Sequence, residues 1–172
     1  YAAELAATVE DADRAWQRLC DWYLATAEAA ARLDGPVPVR LPRPDEHSDR
    51  FAAAGPARAW LDAERANLVA AAVRAADSGP HAFAWHLPDA LAGYFQRGQY
   101  LHDWEVAATA GLRAAEAAGY RLAEAAMHRS LGAAIERDRG PRTAIRHYEA
   151  ALAGYRQEDA ASPGDRKARS RL

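Results

Sequence analysis

An all-α fold is predicted by three observations on this chain of 172 residues. Alanine, the strongest helix former and a weak strand residue, fills 46 positions. The β-branched apolar residues Val and Ile number only eight. Apolar residues also recur at steps of three and four, the spacing of one buried helical face. Half the residues count as hydrophobic, but only 40 carry an apolar side chain larger than alanine, so the core must be built from closely approaching helices. Leu, Ile, Val and Phe make up less than a fifth of the chain, which with a large net charge would mark disorder; the balance here is −2, and the chain reads as folded.

The first helix is expected over about 11–33, where Trp16, Leu19, Cys20, Tyr23, Leu24 and Ala27 fall on one stripe. Gly35 and the prolines Pro36, Pro38, Pro42 and Pro44 end it and open a proline-rich loop over 35–50, with Val37, Val39 and Leu41 alternating between them. A second helix at about 56–77 starts near Pro56, carries Trp60, Leu61, Leu68, Ala72 and Ala76, and stops at Asp77-Ser78-Gly79-Pro80. Four shorter helices follow at about 81–97, 99–118, 120–138 and 141–157, with turn points near Gly98, Gly119 and Gly140-Pro141. Such short connections force consecutive helices to lie antiparallel, so these four form two hairpins over 81–157. Residues 158–172, broken by Pro163 and carrying Arg166, Lys167, Arg169 and Arg171, read as a basic, disordered tail.

Successive hairpins call for a search for internal period. Leu91, Ala92, Phe95, Trp104, Ala108 and Gly111 fall over Leu131, Gly132, Ile135, Ala144, Tyr148 and Ala151 at a constant offset of forty. The second set resembles the tetratricopeptide repeat: large then small then aliphatic on one helix, and small, aromatic, small on the next. The resemblance implies a right-handed array of antiparallel hairpins, preceded here by two long linker or capping helices over residues 1–80. The chain departs from the repeat at several points. Trp104 stands where a small residue is expected and Ala108 where an aromatic is, as though bulk had moved across the pair. Gly140 comes one place late, Arg156 replaces the closing proline, and the offset exceeds the usual repeat of about 34 residues.

A second resemblance rests on Ala59-Trp60-Leu61-Asp62-Ala63-Glu64-Arg65-Ala66-Asn67-Leu68-Val69-Ala70, with Asp21-Trp22-Tyr23-Leu24 and Tyr1-Ala2-Ala3-Glu4 before it. These runs are similar to long-form antibiotic regulatory proteins of Streptomyces and related NB-ARC transcriptional regulators of the STAND class. That family implies a DNA-binding domain, an ATP- or ADP-binding NB-ARC ATPase and a winged helix ahead of a helical linker and repeats. Tyr1 to Glu4 then looks like the last turn of the winged helix, and the chain like a piece of a longer protein. By the resemblance, its role is to receive a protein or small-molecule signal and to restrain the attached ATPase or let it assemble. A stand-alone adaptor or oligomerisation module is the alternative, and a small-ligand-binding helical domain or helical-bundle enzyme a further one.

In such repeats the inward side of each first helix lines a groove for an extended peptide or a partner helix. Carried over residue by residue, the groove positions are His86, Asp89, Gly93, Gln96 and Arg97 in the first hairpin and Ala126, Arg129, Ala133, Glu136 and Arg137 in the second. Arg97, Arg129 and Arg137 could together accept carboxylates through their guanidinium forks; equally they could be ordinary solvated helix residues. The expected occupant is a protein or peptide, or the parent's own NB-ARC domain.

Nothing in the sequence calls for catalysis. No GxxxxGK[ST] phosphate loop occurs, so no cofactor is expected here. Glu124/His128 and His86/Asp89 could each share a helix face, but two ligands do not make a metal site. Asp62, Glu64, Arg65 and Asn67 are expected to lock the linker helix to its neighbours rather than act as acid and base. Cys20 falls in an apolar stripe and reads as an inert core thiol. Trp16, Trp60, Trp85 and Trp104 read as core rather than as a ligand cage, with Trp22 left unassigned. The near-neutral charge and interleaved Arg, Asp and Glu give no case for nucleic acid, and no 18-residue window lacks charge, which argues against a membrane span. The expected compartment is the cytoplasm. Because stacked hairpins usually need three units, the long helices are expected to cap the array, or the chain to form a homodimer through an open end.

Overall fold

The computed structural model describes residues 2–35, 40–42 and 50–161, and they form an all-α fold. Six helices are present among them: α1 (Ala2–Asp34), α2 (Ala54–Ser78), α3 (His81–Gly98), α4 (Leu101–Ala118), α5 (Arg121–Arg139) and α6 (Pro141–Ala161). Two bounds differ from the sequence expectation by more than two residues. Helix α1 starts at Ala2 rather than near residue 11, since no Gly or Pro interrupts the run before Gly35. Helix α6 continues to Ala161, so residues 158–161 are helical rather than part of a tail. The loop residues 36–39 and 43–49 and the tail 162–172 lie outside the described residues.

The turns from α3 to α4 and from α4 to α5 follow one pattern. At the end of α3, Gln99 takes a left-handed conformation (φ 56°), its N–H meets the Gln96 carbonyl, and the Tyr100 N–H reaches back to Phe95. At the end of α4, Gly119 and Tyr120 repeat this with Glu116 and Ala115. Each is the paired closure that satisfies the last free carbonyls of a helix. The left-handed residue of the first turn is thus Gln99, not Gly98. Gly98 serves a different need, because a side chain there would collide with the Tyr100 ring and the Arg58 guanidinium.

One hydrophobic cluster runs through all six helices. It takes Cys20 and Leu24 from α1, Leu61 and Leu68 from α2, Phe83, Leu87, Leu91 and Phe95 from α3, Trp104 from α4, Met127, Leu131 and Ile135 from α5, and Ala144 from α6. The two long helices therefore share a core with the hairpins: α1 and α2 pack on each other and on α3, and α2 also packs on α4. Small residues make this possible. On α4, Ala107, Ala108, Ala110, Gly111, Ala114 and Ala115 are buried, and on α1 every residue from 24 to 31 is.

The equivalent positions of the two hairpins carry bulk differently. In α5–α6, Gly132 leaves room for the Tyr148 ring, to which an added Cβ would come within 2.7 Å. In α3–α4 both counterparts, Ala92 and Ala108, are small and buried, and Trp104 fills the layer instead. Its ring stacks on Phe95 with centroids 6.5 Å apart, and its indole N–H donates to Ser130 Oγ at 2.6 Å.

Candidate functional site

Asp89 of α3 and Arg129 of α5, two of the positions expected to line the groove, stand forty residues apart in the sequence and meet in the fold. Arg129 Nη2 donates to Asp89 Oδ1 at 3.0 Å, and Arg129 Nε to the Tyr155 hydroxyl of α6 at 3.3 Å. Asp89 is 1% exposed. Its second oxygen accepts the main-chain N–H of Leu41 at 2.8 Å. The neighbouring Arg40 donates through Nη2 to Glu28 Oε1 of α1 at 3.0 Å and brings Nε to 3.8 Å from Asp89 Oδ2. Leu41 itself is 7% exposed and belongs to the core cluster. A short stretch of the proline-rich loop thus lies over two carboxylates, on α1 and α3, beside one guanidinium from α5.

Burial raises the Asp89 carboxyl above the ordinary carboxylate range, and Glu28 adds to this, while the Leu41 N–H, Arg129 and Arg40 pull it back. A buried carboxylate is tolerated only when hydrogen-bonded and paired, and here both oxygens are engaged.

The remaining groove positions do not join this cluster. Arg97 turns to Asp34 at the end of α1, with bonds of 2.6 and 3.1 Å. Glu136 accepts the Tyr148 hydroxyl at 2.6 Å within its own hairpin, and burial together with this bond raises that phenol to about 12. Arg137 is exposed and donates to the Ala133 carbonyl one turn back. Gln96 is exposed, and His86 is half-buried beside the Trp85 ring. Two of the three arginines expected to accept carboxylates, Arg97 and Arg129, are thus paired with aspartates of this chain.

The sequence reading missed Glu28, Arg40, Asp34 and Tyr155. Glu28 carried a signal: it is an acid within Ala25-Thr26-Ala27-Glu28-Ala29-Ala30-Ala31, whose alanines leave no exposed polar face to place it on. Arg40 carried none, because nothing local fixes which helix an extended loop crosses.

No family model, curated protein or solved structure matches this chain.

A second polar cluster ties the linker helix down as expected. Asp62 accepts the hydroxyls of Tyr94 at 2.7 Å and Tyr100 at 3.0 Å and both its oxygens face Arg58 Nε at 3.3 Å. Arg58 also reaches Asp34, Arg65 reaches Asp103 at 2.8 Å, and Glu64 accepts from Tyr23 at 2.9 Å and Asn67 at 3.0 Å. The guanidinium of Arg65 lies 3.9 Å from the Tyr100 ring centroid. These contacts join α2 to α1, α3 and α4.

His128 and His147, nineteen apart on neighbouring helices, bring their Nδ1 atoms to 3.1 Å. Burial lowers the basicity of both, and His147 is further lowered by His128 and Arg146. No group of three or more His, Cys, Asp or Glu at metal-holding distance occurs among the described residues, and none of their helices is long and apolar enough to cross a membrane. Cys20 is fully buried, which raises its thiol to about 11. Trp85 and Trp104 are buried and Trp16 and Trp60 half-buried, whereas Trp22 is 43% exposed beside Tyr23 and Trp60.

Proposed function

We propose that this chain is a non-catalytic protein-interaction and signal-receiving module. Its resemblance to the helical linker and tetratricopeptide region of STAND-class regulators gives the fuller reading: it acts in the cytoplasm and restrains or releases an attached NB-ARC ATPase and DNA-binding domain. The observation that carries the interaction reading is the Asp89–Arg129 pair. Equivalent side chains of two successive hairpins face one another across 3.0 Å, which gives the pair of helices a common inward face, and a stretch of extended chain already lies on it. That is the arrangement by which stacked hairpins take an extended polypeptide. The titratable groups are consumed by structural partners: Asp62 by two tyrosines and an arginine, Glu64 by Tyr23 and Asn67. This favours binding over acid–base chemistry.

The test of the regulator reading is to translate the reading frame upstream of Tyr1. A nucleotide-binding domain with a phosphate loop, followed by a winged helix that runs into Tyr1, is the expected result. An unrelated domain or a start codon there would overturn it and leave an adaptor module.

A further inference from the structure

One face of α6 carries Arg142, Ile145, Arg146, Glu149, Leu152 and Arg156, set side by side by steps of three and four. All six are exposed, while Ala144 and Ala151 bury the opposite side of the helix. Ile145 is 50% and Leu152 49% exposed, the highest values among the large apolar side chains described. A single exposed aliphatic is ordinary on a protein surface. Two of them seven residues apart, on one side of a helix, make the stripe against which a second helix packs. Ile145 also borders a groove that takes in Ile135 and Arg139 of α5.

The charge of this face is one-sided. Arg142, Arg146 and Arg156 stand with one acid, Glu149, and none of these four side chains has an ion-pair or hydrogen-bond partner among the described residues. Arg142 lies in the first turn of α6, where the helix dipole favours an anion. Arg139 beside it is taken up by Glu105 and Asp138. The equivalent positions of α4 show that a hairpin does not require this character. Where α6 has Ile145 and Arg156, α4 has Glu105 and Glu116. Glu105 pairs with Arg139 of α5, so this fold already joins neighbouring helices by an acid on one and an arginine on the other. On α6 the arginines are present and the acids are missing.

We propose that this face of α6 docks an amphipathic, acidic helix of a partner protein, whose aliphatic side chains pack on Ile145 and Leu152 and whose carboxylates pair with Arg142, Arg146 and Arg156. The proposal rests on the interaction-module reading and moves the carboxylate-accepting chemistry from the groove to α6. A second copy of this chain is the poorer occupant, because each face carries the same excess of positive charge and two of them repel.

The experiment measures the fluorescence anisotropy of two labelled helical peptides with the full chain. The acidic peptide is three repeats of Leu-Ala-Ala-Glu-Glu-Ala-Ala, and the basic one has lysine in place of each glutamate. The acidic peptide should bind the wild type and the basic one should not. Ile145→Ser with Leu152→Ser, and separately Arg142→Glu with Arg146→Glu, should each weaken the acidic peptide at least about tenfold. The arginine-to-glutamate variant should take the basic peptide instead. All four positions are exposed, and circular dichroism checks that both variants keep the fold. No binding of the acidic peptide to the wild type, equal binding of the two peptides, or binding that neither variant weakens would each overturn the proposal. Sedimentation of the chain alone tests the other occupant: a dimer that the serine variant converts to a monomer would overturn the proposal, because a second copy would then fill the face. Failure of the acidic peptide removes this surface and leaves the inward face of α3 and α5 standing, while the upstream reading frame decides the regulator reading separately.

Discussion

Gly111 of α4 lies against the main-chain carbonyl of Ala84 in α3. A Cβ at position 111 would stand 2.7 Å from that oxygen and 2.7 Å from Met127 Sδ. The carbonyl is available for this approach because Pro88, four residues on, has no N–H to return to it. Alanine at 111 would gain about 1 kcal/mol in helix propensity. Overpacking costs about 1–3 kcal/mol, and against main chain, which unlike a flexible side chain cannot yield, the cost falls in the upper half of that range. Gly111→Ala is therefore expected to lose about 1–2 kcal/mol of stability in urea unfolding. Gly55→Ala, where an added Cβ meets nothing within 4 Å, should leave stability unchanged or slightly raised. A Gly111→Ala protein as stable as wild type would show that α3 and α4 do not approach so closely.

Trp104 and Ser130 make the same argument with a hydrogen bond. Both are buried, and the indole N–H meets the hydroxyl at 2.6 Å. Ser130→Ala should cost about 1–3 kcal/mol, because it leaves a buried N–H without a partner. Trp104→Phe should cost a similar amount through lost volume. The double variant should be more stable than the sum of the single losses by about 1 kcal/mol, since the second change removes the stranded donor. Strict additivity of the two losses in denaturant unfolding would mean that the bond is not made in solution.

These two contacts also mark what could be read from the sequence. The helices were legible because alanine abundance and apolar spacing are local, and Gly119 and Pro80 punctuate them. The offset of forty placed Trp104 and Tyr148 as exchanged bulk, since packing volume is written in residue size. Asp89 and Arg129 were named for one groove, because equivalent repeat positions share a face, but their pairing with each other was not. Glu28 was legible only as an acid set among alanines, without its partner, and Arg40 was invisible, because no local rule fixes where a loop crosses a helix pair. The partner of Arg97 was not legible either, because Asp34, 2.6 Å away, lies 63 residues back.

His128 and His147 should make stability depend on pH. Burial depresses the folded-state pKa of both; Glu116 and Glu124 oppose this at His128, Glu105 opposes it at His147, and Arg146 reinforces it there. Between the depressed folded values and the unfolded value of about 6.5, the unfolded chain binds more protons, so stability is full above that range and is lost as pH falls through it. Melting temperatures measured from about pH 8 down to pH 5 should therefore drop, and the variant His128→Gln with His147→Gln should show a shallower fall. Comparing the two proteins cancels the opposite contribution of Asp89, whose raised carboxyl titrates in both. Parallel curves for the two proteins would mean that the imidazoles are not held neutral by the fold.

Tyr94 and Asp62 give the final test, at the junction that fixes α2 on α3. Tyr94 is fully buried and donates its hydroxyl to Asp62 Oδ1 at 2.7 Å, beside the 3.0 Å bond from Tyr100. Burial alone would raise the Asp62 carboxyl, but the two hydroxyls and Arg58 outweigh it and hold the group below its ordinary value. A depressed carboxylate contributes stability above its unfolded pKa that is lost as pH falls through the folded one. Tyr94→Phe keeps the ring and removes only the hydroxyl, so it should cost about 1 kcal/mol at neutral pH. It should also move the Asp62 carboxyl resonance to titrate at higher pH, by an amount that Tyr100→Phe reproduces in part. If Asp62 titrates identically in the wild type and in Tyr94→Phe, the hydroxyl does not reach it, and α2 is held on α3 by apolar contacts and arginine alone.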